Sequence, residues 1–479
     1  QVLGKYDCPL ALDSYQRGFV WTRKKITQLV DDLSEFQKTN DSLPYYMGAI
    51  LLHEDAAQEK RFIIDGQQRI TALCLLYHQL HQRLPGGQML SYSGQSARCI
   101  REAVKAYGES LLPDPEVLDR LVFTVIVVKN ADLAFTFFDT QNNRGVPLQA
   151  TDLLKAYHLR AIDHAATDKE QGENLQLECA SRWEHVQRMP SVLSPGKDFA
   201  RTLFTRFLWR ARRWQGQQVT PAYHDGLMEE FQSRTWGLQT DGRAAVDTVP
   251  VYACKDNRLA SSMSLQKGDL TLQGHKIILS NDAAVMPMAL RQPIHQGVGF
   301  FLYADKYAAI LQALMNQSAT DGRVKFFREV YSKLLKKNQE YLREVFMVSA
   351  LVYVDQFGYQ LLPTFSLHLE YVLGGIRLQK QQIKRETAAN YFRDGELNLL
   401  DVIVQSYHPG QVLEYLKGIQ PVYDKAYREE EIEEGTGVQG KYKKAVLEFY
   451  QGDDKAKSQS LAGKSLWMLK KLECISHDD

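Results

Sequence analysis

The amino-acid sequence predicts an α+β fold class: a small mixed α/β N-terminal unit followed by a large, mostly α-helical region. Three observations carry this. Strand-like apolar runs at 45–52, 62–64 and 121–128 all lie in the first third of the chain. From Ala283 onward, apolar residues recur at helical spacing with few breakers. At 479 residues the chain exceeds one ordinary core, and boundaries are expected at 1–165, 166–283 and 284–479.

Taken in order, the chain first gathers polar and aromatic residues around one glycine, Tyr15-Gln16-Arg17-Gly18-Phe19-Val20-Trp21. Ile26, Leu29, Val30, Leu33 and Phe36 then mark an amphipathic helix. After the strand at 45–52 and the apolar Phe62-Ile63-Ile64, Asp65-Gly66 breaks the run, and Ile70, Leu73, Leu76 and Tyr77 return at helical spacing. Pro85-Gly86-Gly87 ends that helix. Leu121–Val128 is β-branched, apolar and the clearest strand. Asn143-Arg144-Gly145 reads as a turn ahead of a helix carrying Asp152-Leu153-Leu154-Lys155, which Thr151 or Asp152 can cap. Helical spacing follows at 183–189 and 199–214, and 248–279 is turn-rich and weakly strand-like, a hairpin insertion or a boundary. Helices are predicted at 285–315, 323–337, 339–357, 363–379, 385–393, 397–405 and 410–417, and Glu429–Glu434 as a solvated acidic face.

Composition narrows the function. With 44% hydrophobic and 24% charged residues, and 58 basic against 57 acidic side chains, the chain is globular and nearly neutral. A protein coating nucleic acid without specificity would be far more basic, so DNA contact would need a local patch. The six cysteines are scattered without close spacing, which points to a reducing compartment and away from disulfides or a zinc cluster. No signal peptide is read and the longest apolar run, 345–354, is about half a membrane span, so a cytoplasmic protein with no membrane partner is expected.

The most informative stretch is Asp65-Gly66-Gln67-Gln68-Arg69, at a strand-to-helix turn. There the free N–H groups and positive dipole end of a new helix attract an anion such as phosphate. A carboxylate, a glycine permitting close backbone approach, two amides and a guanidinium suit a phosphoryl group with its metal ion. The alternative is a capped helix start with Arg69 in a surface ion pair. The second turn, Asn143-Arg144-Gly145, could face the first across one pocket. Arg206, Arg210, Arg212 and Arg213 lie among aromatic residues on one helix that could bind a nucleic-acid backbone, or else bury its aromatics and pair its arginines internally. Gly435–Gly440 matches G-x-G-x-x-G without the preceding strand, and Gly463-Lys464-Ser465 lacks the upstream glycine of a phosphate loop. Three-residue spacing of His78 and His81 suggests no metal site without a third ligand.

Three blocks together resemble the N-terminal domain of the GmrSD-type restriction family, a ParB- and sulfiredoxin-like fold with a D-G-Q-Q-R signature. They are Tyr15-Gln16-Arg17 with Trp21, then Ile64 to Leu73, then Phe138 through Asn143-Arg144-Gly145 to Leu148 and Asp152-Leu153-Leu154-Lys155. The resemblance covers about residues 1–160 and implies nucleotide binding and hydrolysis coupled to cutting of modified foreign DNA in bacterial antiviral defence. Fused members carry a C-terminal His-Asn-His nuclease, which is not legible here, so a separate nuclease or effector subunit is the expected partner. Carried over, Asp65 would hold a divalent metal, Mg²⁺, or the attacking water, and Arg69 would neutralise phosphoryl charge. Gln67 and Gln68 would orient water or phosphate oxygens, and Gly66 would admit the phosphate. Gln16, Arg17, Asn143, Arg144 and Lys155 would complete the nucleotide pocket. The expected ligands are GTP, CTP or UTP and double-stranded DNA, modified or not, with homo-oligomers an open expectation. The competing readings are a ParB-like DNA-binding or nicking module that uses no NTP, and a non-catalytic scaffold.

Overall fold

The computed structural model describes residues 9–12, 18–39, 43–55, 59–85, 90, 92, 96–129, 149–166, 168–191, 198–219, 226–232, 249, 251–252, 254, 261–266, 269–274, 283–335, 340–384, 390–391, 398–452 and 460–475. The chain divides into two compact units, 1–184 and 185–479. As predicted, the class is α+β, with a small mixed sheet in the first unit and helices dominating the second.

In the first unit, β1 (Leu10–Ala11), β2 (Tyr45–Asp55), β3 (Lys60–Asp65) and β4 (Leu121–Val128) form a sheet of order β1-β3-β2-β4. β2 and β3 are an antiparallel hairpin, whereas β1 joins β3 and β4 joins β2 in parallel. A parallel neighbour requires a long crossover, and α2 (Gln67–His81) and α3 (Ser96–Gly108) supply it between β3 and β4. Alternation along the strands sends Ile50, Leu52 and Ile63 to one face, where Leu10 and Ile70 of α2 meet them. Leu51 and Ile64 point the other way, onto Leu153 and Ala156 of the Ala150–Ala165 helix. Beside the first face, Ile26, Leu29, Val30 and Leu33 of α1 (Arg23–Lys38) pack with Leu73, Leu76 and Tyr107.

The second unit is built on helices Val298–Met315, Glu340–Phe357 and Leu362–Gln379, buried nearly all round, as helices at the centre of a large core must be. The apolar run at 345–354 is therefore interior packing, and among the described residues no helix is long and apolar enough to cross a membrane. The weak strands become a hairpin, Ser261–Gln266 with Asp269–Gly274. Residues 286–297, predicted helical, are not. The helix starts at Val298, and the carbonyls of Leu290 and Gln292 accept from Arg212 Nη1 at 2.7 and 2.8 Å. Helices also form at Gly437–Gln451 and Lys464–Ile475, where the sequence predicted none.

One buried group gives this unit a pH response. His368 is buried in the Leu362–Gln379 helix, with Gln420 Nε2 2.7 Å from its Nδ1. Burial pushes its pKa down to about 4, while an unfolded histidine titrates near ~6.5. Above the unfolded value neither state is protonated. Between about 6.5 and 4 only the unfolded state takes the proton, so stability falls as the pH falls, by about 3 kcal/mol in all. Urea midpoints at neutral and mildly acidic pH are expected to diverge less in His368→Gln than in wild type. Equal divergence would assign the acid sensitivity elsewhere.

Candidate functional site

β3 ends at Asp65, and Gly66 turns the chain into α2 with φ of +96°. That conformation is rare for any residue with a Cβ, and a Cβ there would also press within 3.1 Å of Ile50 Cγ1. Gly66, at the N-cap of α2, has no side chain to cap it, and the first backbone bond of the helix runs from Ile70 N to Gly66 O at 2.9 Å. Among the described residues, the first-turn N–H groups therefore sit at the positive end of the helix dipole without a side-chain acceptor.

Asp65 and Arg69 meet in an ion pair four residues apart, the pairing the alternative reading of the turn gave Arg69. Arg69 Nη2 donates to Asp65 Oδ2 at 3.2 Å, with 44% of the Asp65 side chain and 25% of the Arg69 side chain exposed. Arg69 also has a second duty: Nη1 donates to Met47 O at 2.9 Å. β2 bulges there, since Tyr46 pairs with Val122 and Ala49 with Thr124, leaving Met47 and Gly48 opposite Phe123 alone. Gly48 has φ of +95°, and a Cβ on it would collide with Arg69 Nη1. The guanidinium thus lies between two glycines, Gly48 and Gly66, that leave it room against the backbone.

The two glutamines differ. Gln68 Oε1 accepts from Val20 N at 2.8 Å and its Nε2 donates to Gly18 O at 3.1 Å. Gln67 is 8% exposed, and among the described residues its side-chain amide has no hydrogen-bond partner. Farther along α2, Tyr92 Oη lies 2.8 Å from Thr71 Oγ1, and burial pushes both Tyr92 and Cys74 up to about 12. Neither supplies an anionic nucleophile at neutral pH.

Gln16, Arg17, Asn143 and Arg144 lie outside the described residues. Gly18, the residue after Arg17, is the one held by Gln68. Lys155 is buried and engaged on the Ala150–Ala165 helix, whose first turn also buries the Thr151 hydroxyl, with no partner among the described residues. Gln149 and Asp152 cap that helix reciprocally, so the cap falls to Asp152 with a glutamine the sequence did not single out. Among the described residues no group of three or more His, Cys, Asp or Glu side chains could hold a metal. Asp65 would be one ligand, as suits an ion that keeps waters and substrate phosphates in its shell.

The arginine-rich stretch belongs to the second unit and takes the internal alternative: its aromatics are buried and all four arginines are ion-paired within the unit. Helical residues 199–213 pass through a π-helical segment, Leu203–Leu208. Arg206 and Arg210 both pair with Glu344, and Arg212 and Arg213 both pair with Glu230. Arg210 and Arg212 are buried, so their guanidiniums are held by the interior, while Arg206 and Arg213 remain partly exposed. The reason is local: Phe204, Phe207, Trp209 and Trp214 are buried on the same stretch and draw their neighbours in.

Comparison with family models matches residues 3–159 to the GmrSD restriction endonuclease, N-terminal domain, in agreement with the resemblance carried by the three blocks. Residues 175–434 match a family of unknown function (DUF7834). No curated protein matches the chain. With one family model covering more than half of its length and the other its first 159 residues, the chain belongs to the DUF7834 family and carries the N-terminal domain of GmrSD restriction endonucleases.

Proposed function

We propose that this chain is the nucleotide-hydrolysing, DNA-sensing subunit of a bacterial anti-phage, restriction-like system and works with a separate nuclease or effector. The restriction-type family supplies the defence context. The observation that carries the nucleotide reading is the half-exposed Asp65 carboxylate beside Arg69, at a first turn of α2 that no described side chain caps. Phosphoryl transfer needs little covalent help and much positioned charge. A divalent ion such as Mg²⁺, when bound, would neutralise phosphate charge at Asp65. Arg69 Nη2, held in place because Nη1 is fixed to Met47 O, would face the transferring phosphoryl group. Gln67, buried and unpartnered among the described residues, is suited to orient the attacking water. Gly66 and the α2 N–H groups would receive phosphate oxygens, with Gln16, Arg17, Asn143 and Arg144 closing the pocket. Of the arginine-rich stretch, only Arg206 and Arg213, partly exposed although paired with Glu344 and Glu230, are within reach of a DNA backbone.

The test is direct. Purified protein with Mg²⁺ is expected to release phosphate from GTP, CTP or UTP, and the accepted nucleotide to raise the melting temperature, because a ligand of the folded state alone stabilises it. No release and no shift with any of the three would overturn the nucleotide reading.

A further inference from the structure

The two hydrogen bonds of Gln68 form a recognisable pattern. In an extended chain, the carbonyl of one residue and the N–H of the second residue after it point to the same side. Gly18 O and Val20 N are such a pair, and the Gln68 amide meets both, donating to one and accepting from the other at 3.1 and 2.8 Å. It stands in for a neighbouring strand. The residue between them, Phe19, is fixed from other directions too. Its N–H donates to Ser96 Oγ at 2.9 Å, and its ring is buried among α1, α2 and α3, 1% exposed. Ser96 opens α3 and is itself buried. A segment far away in sequence is thereby clasped onto the first turn of α2, by a side chain from inside the D-G-Q-Q-R stretch.

We infer that Gln68 is a positioning residue: its amide holds Gly18–Val20 against the start of α2 and leaves Asp65, Gln67 and Arg69 to meet the ligand. The stretch then divides by duty. Asp65 has an exposed carboxylate, and Gln67 has no partner among the described residues. Gln68 has both ends of its amide engaged with backbone, as a clasp should. Its kinetic effect rests on the nucleotide reading above, but the clasp itself does not.

Hydrogen exchange of the full chain without nucleotide tests the clasp. In Gln68→Leu, the peptide spanning residues 18–22 is expected to exchange at least tenfold faster, while peptides from β2, β3 and β4 keep wild-type protection. Ser96→Ala, which removes the other bond to Phe19, is expected to speed the same peptide. Gln68→Glu is expected to regain protection as the pH is lowered, because only the protonated acid can donate to Gly18 O. Unchanged exchange at 18–22 in Gln68→Leu would overturn the proposal, and so would loss of protection across the whole sheet. In the presence of a hydrolysed nucleotide, Gln68→Leu and Ser96→Ala should each lower turnover. Were Gln68 to touch the ligand instead, Gln68→Leu would lower turnover with 18–22 still protected. A wild-type protein that hydrolyses nothing defeats the nucleotide reading, while the exchange result still decides the clasp.

Discussion

Asp65→Asn is expected to reduce nucleotide-dependent phosphate release at least ~100-fold while leaving the melting temperature within a few degrees of wild type. The structural cost is small because the Asp65 side chain is nearly half exposed and has one partner among the described residues, Arg69 Nη2, at 3.2 Å. Exposed pairs of this kind contribute at most ~1 kcal/mol. The chemical cost is large because asparagine keeps the shape and loses the charge that would bind a divalent ion or activate water. Arg69→Ala should behave differently. It removes the same charge partner and also the bond to Met47 O across the β2 bulge, so it is expected to lose both activity and stability. Arg69→Lys would not repair this, since one ammonium cannot reproduce the planar fork that reaches Met47 O and Asp65 together. Phosphate release measured beside thermal unfolding separates the cases. Full turnover in Asp65→Asn would remove the carboxylate from the chemistry and return the turn to the role of a helix start with a surface ion pair.

How much of this was legible beforehand depends on how local each cause is. β2, β3, β4 and α1 follow from alternation and helical spacing within a few residues, and all form as predicted. The meeting of Asp65 and Arg69 is equally local, an i,i+4 pair across a glycine turn. By contrast, the partners of Gln68 lie 48 and 50 residues away and are backbone groups, so no side-chain pattern announces them. The bulge at Met47-Gly48 is hidden for the same reason, although a glycine inside a strand pattern is the usual sign of one. Residues 286–297 misled because Val285, Met288 and Ala289 stand at i, i+3 and i+4, as on one face of a helix. Pro287 and Pro293 were the available warning. The carbonyls such a segment cannot satisfy itself are met from a distance, by Arg212, Tyr303 and Lys306. Gly463-Lys464-Ser465 lacks the upstream glycine of a phosphate loop, and its lysine has an internal use that no motif encodes.

Lys464→Met is expected to destabilise the second unit by about 3–5 kcal/mol, the cost of leaving a buried charge without its partner. Lys464 and Glu370 are both fully buried and ion-paired, and Lys464 Nζ donates to Glu370 Oε1 at 3.0 Å. The ammonium also reaches Tyr427 Oη at 2.9 Å and Tyr442 Oη at 2.8 Å, with the rings of Tyr427, Tyr371 and Tyr442 at 4.6, 5.2 and 5.4 Å. Burial pulls the lysine pKa down while the Glu370 carboxylate pulls it up. Methionine fills similar volume, so the loss isolates charge from packing. Gly374 shows how tightly the cage is closed, because a Cβ there would collide with the Tyr442 hydroxyl. At this size the expected drop in melting temperature is roughly 10 °C, and urea unfolding would give the free energy. The double variant Glu370→Leu with Lys464→Met should recover much of the loss, since no charge is then stranded. If Lys464→Met instead unfolds within ~1 kcal/mol of wild type, the pair is not what ties the Lys464–Ile475 helix to the core. That tie matters because Glu370 lies within the segment matched to DUF7834 and Lys464 lies beyond its end at residue 434. A large effect would make residues past the matched segment an integral part of the helical unit.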